Sequence, residues 1–312
     1  MGSSEGPGSG SGHSGKRAGL RYARAGPPLV IAHRGDSAAR AEHTLDAYQA
    51  AMDSGADGLE CDVRLTRDGH LVCVHDRTVD RTSNGRGVVS ELDLDRLESL
   101  DFGSWHEGWP VSADELLGDE PYLAGVAPDV DTRGRVLRLE KLLELVTASP
   151  RPVRMFIETK HPTRYAGLVE KELVRTLRRF GLVRPERRSV GEYPGSLVTV
   201  MSFAPTALRR VRLLAPTVPT VLLLERHGPA RRTRELPAGT TAGFSLALVR
   251  AHPKLVTRAH EHGHPAYVWT VDDPKDVAFV LGLGVDAVIS NDPGTAIRVR
   301  AELARRNSEN QV

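Results

Sequence analysis

The chain lacks several features that define common protein classes. It has 312 residues and only two cysteines, Cys61 and Cys73, which both lie in apolar runs. This favours buried free thiols, in a reducing compartment, over a disulfide framework. No run approaches the roughly 20 apolar residues that a membrane-spanning helix needs. We therefore expect a cytoplasmic protein without stable membrane insertion.

An excess of charge of one sign is also missing. The 42 Lys and Arg residues nearly balance the 40 Asp and Glu residues, so no broad cationic field for nucleic acid is expected. Local arginine clusters, such as Arg178-Arg179 and Arg231-Arg232, are interpreted as solvated faces.

The chain is predicted to contain a single folded domain. Residues 1–27 are small, polar and glycine-rich, and they lack the apolar core of a signal peptide, so we interpret them as a flexible leader. The predicted catalytic domain covers residues 28–306, and residues 307–312 form a short tail.

Within this domain, short apolar runs alternate with longer amphipathic stretches. Such alternation is typical of parallel strands joined by crossover helices. Eight strands in about 280 residues predict an α/β fold, a (β/α)₈ TIM barrel, with an open doubly wound sheet as the alternative. Strands are predicted at 29–33, 58–63, 155–160, 198–202, 218–224, 243–248, 266–271 and 287–290. Helices are predicted at 44–54, 139–148, 165–180, 205–214, 253–263, 274–282 and 294–305.

One segment interrupts the alternation. After the second strand the chain turns at Arg67-Asp68-Gly69 and continues through a further extended run, LVCVHD. About sixty residues then separate this run from the next helix, which is too long for an ordinary connection. We predict a small inserted cap after the second strand, at about residues 77–137.

Two predicted strands place charged side chains on a barrel face that should be apolar. Glu60 and Asp62 share one face of the second strand, and Glu158 and Lys160 share one face of the third. Three converging carboxylates repel one another unless a cation neutralises them. We therefore predict a divalent cation, Mg²⁺ or Ca²⁺, held by Glu60, Asp62 and Glu158. The alternatives are exposed charges on edge strands, or a buried salt bridge formed by Lys160.

Two histidines end strand-like runs, His33 in LVIAH and His75 in LVCVH. Active sites of such barrels lie at the carboxyl ends of strands, so both are predicted to border the metal site. One can act as general base and the other as general acid. Arg34 is a suitable phosphate ligand. Because no serine or cysteine nucleophile motif accompanies them, a phosphoester site is favoured over acyl transfer.

The sequence resembles the glycerophosphodiester phosphodiesterase family through motifs that occur in family order from about residue 29 to 300. They are AHRG at 32–35, GADGLECDVRLTRDGHLVCVHD at 55–76, RTSNGRG at 81–87, FIETK at 156–160, VWTVDD at 268–273 and GVDAVISNDPG at 284–294. The resemblance implies a phospholipase-C-like barrel that acts in glycerol and lipid metabolism. It would cleave a small glycerophosphodiester, such as glycerophosphocholine or glycerophosphoethanolamine, to glycerol 3-phosphate and an alcohol.

The resemblance also implies roles for individual residues, by matching position. His33 and His75 would be the acid and base pair, and the three acids would hold one divalent cation, with Mn²⁺ also suitable. Arg34 and Lys160 would contact the phosphate. Trp269 would shape the apolar side of the glycerol pocket; the alternative is a simple core tryptophan.

Three positions depart from the family pattern. The usual Glu-Asn-Thr triplet is Glu42-His43-Thr44 here, and we expect His43 to change the hydrogen bonding beside the metal. Asp272 stands where the family usually has Asn, and Asn291 where Asp is common. Both are expected to bear on substrate choice rather than on the core chemistry.

Three other functions are alternatives to this one. A lysophospholipase D-like enzyme would need an apolar entrance, for which Phe102, Trp105, Trp109 and Tyr122 are candidates. Deacylated substrates are favoured over lysolipids because no membrane-binding amphipathic stretch is evident. A non-catalytic phosphoester-binding barrel is disfavoured because no catalytic position is lost. An interaction scaffold built from the arginine-rich helices would explain none of the polar strand faces.

Overall fold

Eight parallel strands close into a barrel in the computed structural model, which describes residues 26–107, 134–183, 197–225 and 233–309. The first strand pairs with the second on one side and with the last on the other, and this closes the sheet. The predicted TIM barrel is thus confirmed, and the open sheet is excluded. The strands are β1 Leu29–His33, β2 Gly58–Leu65, β3 Leu71–Cys73, β4 Arg154–Thr159, β5 Val198–Ser202, β6 Thr220–Leu224, β7 Thr240–Ser245, β8 Ala266–Trp269 and β9 Ala287–Ser290.

Most of the helices pack around the outside of the barrel. Within the described ranges, none of them is both long and apolar enough to cross a membrane. They are α1 Leu45–Asp53, α2 Leu94–Glu98, α3 Leu139–Thr147, α4 Leu168–Arg179, α5 Pro205–Leu214, α6 Leu246–Ala251, α7 Lys254–Glu261, α8 Pro274–Gly282 and α9 Pro293–Glu309.

Alternate side chains of the barrel strands form two buried apolar layers, one on each face of the sheet. The inner layer fills the barrel, and the outer layer packs against the helices. Because both faces are buried, these strands are nearly continuous apolar runs in the sequence. The inner layer consists of Ile31, Phe156, Met201, Val221, Leu223, Ala287 and Ile289.

Five of the eight predicted strands differ from the structure in their boundaries, and the largest displacement is at β7. Residues 243–248 were predicted as a strand, but β7 ends at Ser245 and α6 begins at the next residue. The Ser245 side chain accepts a hydrogen bond from the backbone N–H of Leu248, which starts the helix. A short apolar run does not by itself distinguish a buried strand from a buried helix. Near the carboxyl end of the sequence, α9 continues to Glu309, past the predicted helix end at residue 305.

Strand β3 is an addition to the barrel that determines where the chain goes next. It pairs antiparallel with the end of β2, with Val63 opposite Cys73. The turn between them includes Gly69 with a φ of 92°, a conformation that favours glycine. The hairpin therefore returns the chain to the carboxyl end of the barrel.

The described part of the inserted cap, residues 77–107 and 134–137, has a small apolar core of its own. Phe102 is only 6% exposed within this core, so it does not offer the apolar entrance for which it was a candidate. Trp109 and Tyr122 lie outside the described residues. The cap core contains Val79, Val89, Leu94, Leu97, Leu100, Phe102 and Val136 together with Val72 and Val74.

The barrel interior should not tolerate a larger residue at Gly58. A Cβ atom there would lie 2.6 Å from the Phe156 ring and 3.0 Å from the Arg154 carbonyl oxygen. We expect Gly58→Ala to lower the free energy of unfolding by about 1–3 kcal/mol through overpacking. Urea denaturation measures this change.

Gly282→Ala is the matched control, since a Cβ at the end of α8 meets no atom within 4 Å. It should leave stability unchanged or raise it by about 0.4–1 kcal/mol. Equal unfolding free energies for the two variants would contradict the tight packing inferred at Gly58.

Candidate active site

Three buried acids from two neighbouring strands converge inside the carboxyl end of the barrel. In the β2–β4 register Asp62 lies opposite Glu158, and Glu60 lies one inward position earlier. One ligand oxygen from each acid lies within 4.8 Å of the others. Their exposed fractions are 1% for Glu60, 0% for Asp62 and 6% for Glu158, so they are not edge-strand charges.

Two cationic side chains reach this cluster. Lys160 Nζ lies 3.0 Å from Asp62 Oδ1 and 3.0 Å from Glu158 Oε1, so the buried salt bridge considered for Lys160 is present. Arg34 Nε lies 3.0 Å from Asp62 Oδ2. The Glu60 carboxylate instead accepts the backbone N–H of Arg34 at 3.2 Å. Two cations facing three carboxylates leave the cluster short of positive charge.

The pKa values of the three acids reflect this shortage of positive charge. Burial, followed by repulsion from Asp62, raises the pKa of Glu60 well above its usual value and that of Glu158 to about 8. Burial also opposes ionisation of Asp62, but Lys160, His43 and Arg34 together hold its pKa well below the usual range. One carboxylate is therefore fixed as an anion while its two neighbours resist ionisation.

The cluster fits a hard divalent cation. Its donors are carboxylate oxygens, and ligands at 2.0–2.6 Å from such an ion lie no more than about 5 Å apart. Asp62 Oδ1 is buried and has no hydrogen-bond partner of good geometry, although Lys160 is close. Among the described residues, these three acids are the one group of acidic, histidine or cysteine side chains whose ligand atoms lie close enough together to hold a metal ion.

His33 ends β1 and directs one ring nitrogen toward the acids. Its Nε2 lies 3.9 Å from Glu60 Oε2, and its Nδ1 lies 2.7 Å from Asn291 Oδ1. The Asn291 amide nitrogen donates to Asp272, so its oxygen faces His33 and Nδ1 is the donor. Burial, followed by the charge of Arg34, lowers the pKa of His33 to about 3. Asp272 and Asn291, which the sequence linked to substrate choice, thus lie behind this histidine.

His75 reaches the same mouth through the β2–β3 hairpin. The backbone N–H of Val74 donates to the Asp62 carbonyl at 3.1 Å, which brings the next residue beside the acids. Nδ1 of His75 lies 2.7 Å from Asp76 Oδ1. The His75 carbonyl accepts two N–H groups of Arg64, at 3.1 and 2.7 Å. Burial lowers the pKa of His75.

An ion-pair network joins the cap to both histidine segments. Arg81 Nε donates to Asp76 at 2.6 Å, and its two Nη atoms donate to Glu42 at 2.9 and 2.8 Å. Glu42 also accepts Arg34 Nη1 at 3.1 Å. Although burial opposes ionisation of Glu42, hydrogen bonds from Arg81 lower its pKa to about 2. The RTSNGRG motif contains Arg81, but the sequence predicted no role for it, because nothing in the local pattern indicates a pairing across 39 residues.

Trp269 forms part of an aromatic wall at the mouth. It ends β8, is half-buried, and donates its indole N–H to the Gly243 carbonyl at 3.2 Å. The Phe203 ring packs edge-on against it with centroids 5.4 Å apart. Phe203 is 42% exposed, so this wall borders solvent at the mouth and is not closed core.

Comparison with known proteins identifies the family. Residues 33–295 match the model of the Glycerophosphoryl diester phosphodiesterase family. A Mycobacterium tuberculosis protein named "Probable glycerophosphodiester phosphodiesterase 1" is 44% identical over 271 residues, which are 86% of this chain and 91% of that protein. A Caldanaerobacter subterraneus protein named glycerophosphodiester phosphodiesterase is 32% identical over 273 residues, 87% of this chain and 97% of its own length.

A solved structure supports the same fold. An Oleispira antarctica phosphodiesterase, in complex with the product sn-glycerol-3-phosphate, matches with a TM-score of 0.67 and 21% identity, covering 88% of this chain and 96% of that one. The chain therefore belongs to the glycerophosphoryl diester phosphodiesterase family.

Proposed function

We propose that this protein is a metal-dependent phosphodiesterase that hydrolyses small glycerophosphodiesters, such as glycerophosphocholine or glycerophosphoethanolamine, to glycerol 3-phosphate and an alcohol. The observation that carries the proposal is the meeting of three buried acids, two histidines and two cationic side chains at one barrel mouth. Family membership and the names of the relatives support it.

The residues around the acids suit a phosphodiester. Glu60, Asp62 and Glu158 would hold Mg²⁺, Ca²⁺ or Mn²⁺, all of which accept oxygen ligands. When bound, such an ion polarises a phosphoryl oxygen as a Lewis acid. Arg34 and Lys160 already lie at the cluster and stabilise the negative charge of the phosphate.

The two histidines divide the proton transfers. His33 holds its Nδ1 proton against Asn291, so Nε2 is the free acceptor on the side of the acids and takes the proton of the substrate's own glycerol hydroxyl, whose oxygen attacks phosphorus. His75 is backed by the Asp76 carboxylate, whose hydrogen bond opposes the effect of burial on the His75 pKa and favours the protonated ring. It donates that proton to the oxygen of the departing alcohol as the phosphorus–oxygen bond breaks, and water then opens the cyclic phosphate so formed to glycerol 3-phosphate, with the two histidines in reversed roles.

Features of the described cap favour deacylated substrates over lysolipids. Phe102 is buried in the cap core, and the Trp105 ring packs against the Arg81 guanidinium at 5.7 Å. Phe102 is therefore not available to line a groove for an acyl chain, and one face of the Trp105 ring is covered by a cation. The free thiols of Cys61 and Cys73, both buried, support a reducing cytoplasmic location.

The first test of the proposal is choline release from glycerophosphocholine in the presence of Mg²⁺. We expect turnover by the wild-type protein and a loss of at least about 100-fold in kcat for His33→Ala and for His75→Ala, because each removes a proton-transfer group. His262→Ala, at an exposed position, is the control and should retain wild-type turnover. Binding without turnover in Mg²⁺, Ca²⁺ and Mn²⁺ alike would contradict the proposed activity.

A second test compares substrates. The kcat/KM for glycerophosphocholine should exceed that for lysophosphatidylcholine, since Phe102 is buried in the cap core and one face of the Trp105 ring is covered by Arg81. Choline release from both, each below its micelle-forming concentration, gives the ratio. A preference for the lysolipid would support the lysophospholipase D-like alternative instead.

Metal binding should show in thermal stability. At a concentration 100-fold above its Kd, a bound cation adds about 2.7 kcal/mol to the free energy of unfolding. Mg²⁺ or Mn²⁺ should therefore raise the Tm of the wild-type protein, and a chelator should reverse the rise. Glu158→Gln should lose this response without loss of metal-free stability, because it removes one of three mutually repelling carboxylates.

Glu144→Gln provides the control for this measurement, since Glu144 is an exposed acid paired with Lys141. It should respond to the cation as the wild type does. A wild-type Tm that is insensitive to all three cations would refute the predicted site.

A further inference from the structure

We propose that His43, supported by Tyr48, is a positioning residue that fixes the orientation of Asp62. The inference rests on the proposed function only in treating Asp62 as a metal ligand. His43 is 5% exposed, and its Nε2 lies 3.0 Å from Asp62 Oδ2. Its Nδ1 lies 2.8 Å from the Tyr48 hydroxyl. The imidazole thus bridges the acid cluster and helix α1.

The backbone at His43 is held in an uncommon conformation. Its φ is 60°, in the left-handed region that residues other than glycine seldom adopt, although Asn, Asp and His do so more often than most. The His43 N–H donates to the Arg34 carbonyl at 3.1 Å, and the next residue, Thr44, starts α1 by accepting the N–H of Ala47. Such a backbone conformation persists only where the surrounding contacts hold it in place.

Tyr48 anchors the other side of the imidazole. Its side chain is fully buried on α1, and its hydroxyl donates to the Glu60 carbonyl at 3.0 Å. The path from the Glu60 main chain through Tyr48 and His43 therefore ends on the Asp62 side chain, two residues further along β2. Both ends of the bridge lie on the strand that carries two of the three acids.

This bridge determines which Asp62 oxygen is available. Oδ2 is in hydrogen-bond contact with His43 at 3.0 Å; it also lies 3.0 Å from Arg34 Nε, an ion pair without good hydrogen-bond geometry. Oδ1 faces Lys160, which also contacts Glu158, and has no hydrogen-bond partner of good geometry. Residues that orient a metal ligand in this way typically contribute about 10–100-fold to metal affinity.

Histidine and asparagine at this position should differ. The side-chain amide of an asparagine can donate one hydrogen bond to Asp62. It has no counterpart of the imidazole Nδ1, which is the atom that contacts Tyr48. In this chain His43 connects the acid to α1 through its second ring nitrogen. His43→Asn should therefore keep part of the effect on metal affinity, and His43→Ala should lose all of it.

The test is Mn²⁺ binding, measured by titration calorimetry on the full chain without substrate. We expect His43→Ala to weaken Mn²⁺ binding by about 10–100-fold, and His43→Asn and Tyr48→Phe to weaken it by smaller factors. The double variant His43→Asn/Tyr48→Phe should bind Mn²⁺ no more weakly than whichever single variant has the lower affinity, because the two substitutions break the same bridge. His70→Asn, which alters a half-buried histidine whose Nε2 lies 3.8 Å from Asp68 Oδ2, should bind as the wild type does.

Urea denaturation of the metal-free variants separates lost affinity from lost stability. If His43→Ala does not fold, the two conservative variants still decide the question. Wild-type Mn²⁺ affinity in folded His43→Asn and Tyr48→Phe would overturn the inference, as would fully additive losses in the double variant. The expected pattern of affinities without any choline release by the wild type would overturn the proposed hydrolysis while supporting the role of His43.

Discussion

The repulsion among three buried carboxylates is the constraint on which the rest of this site depends. Their oxygens lie within 4.8 Å of one another in the low-dielectric end of the barrel. Lys160 and Arg34 offset part of that charge, and both contact Asp62. The remaining negative charge calls for a divalent cation, and a site that holds one beside two cationic side chains is suited to a phosphate group.

The topology of the barrel explains how the two histidines come to lie beside the acids. In a parallel barrel, the carboxyl ends of all strands meet at one mouth, which brings His33 beside Glu60. His75 arrives differently, since the antiparallel β2–β3 hairpin returns the chain to the same mouth. Arg81 then ties the cap to Glu42 and Asp76, so that the surroundings of both histidines form one connected network.

Much of this could be predicted from the sequence because it follows from strand periodicity. Residues two apart on a strand share a face, which is enough to place Glu60 with Asp62 and Glu158 with Lys160. Short apolar runs ending at turns predicted β1 and β9 with their correct boundaries. β7 was placed three residues too far along the chain because it begins with two threonines, Thr240 and Thr241, and because apolar residues continue beyond Ser245 into α6. The links from Arg81 to Glu42 and from His43 to Tyr48 depend on side-chain directions that no periodic pattern encodes.

The central claim is that Glu60, Asp62 and Glu158 jointly hold the cation that engages the phosphate. Anomalous diffraction from a crystal grown with Mn²⁺ and glycerol 3-phosphate tests it most directly. We predict a strong anomalous peak among the three carboxylates, with a phosphate oxygen as a further ligand and Arg34 and Lys160 beside the phosphate. A peak elsewhere, or an ordered phosphate at the mouth with no Mn²⁺ between it and the acids, would contradict this claim.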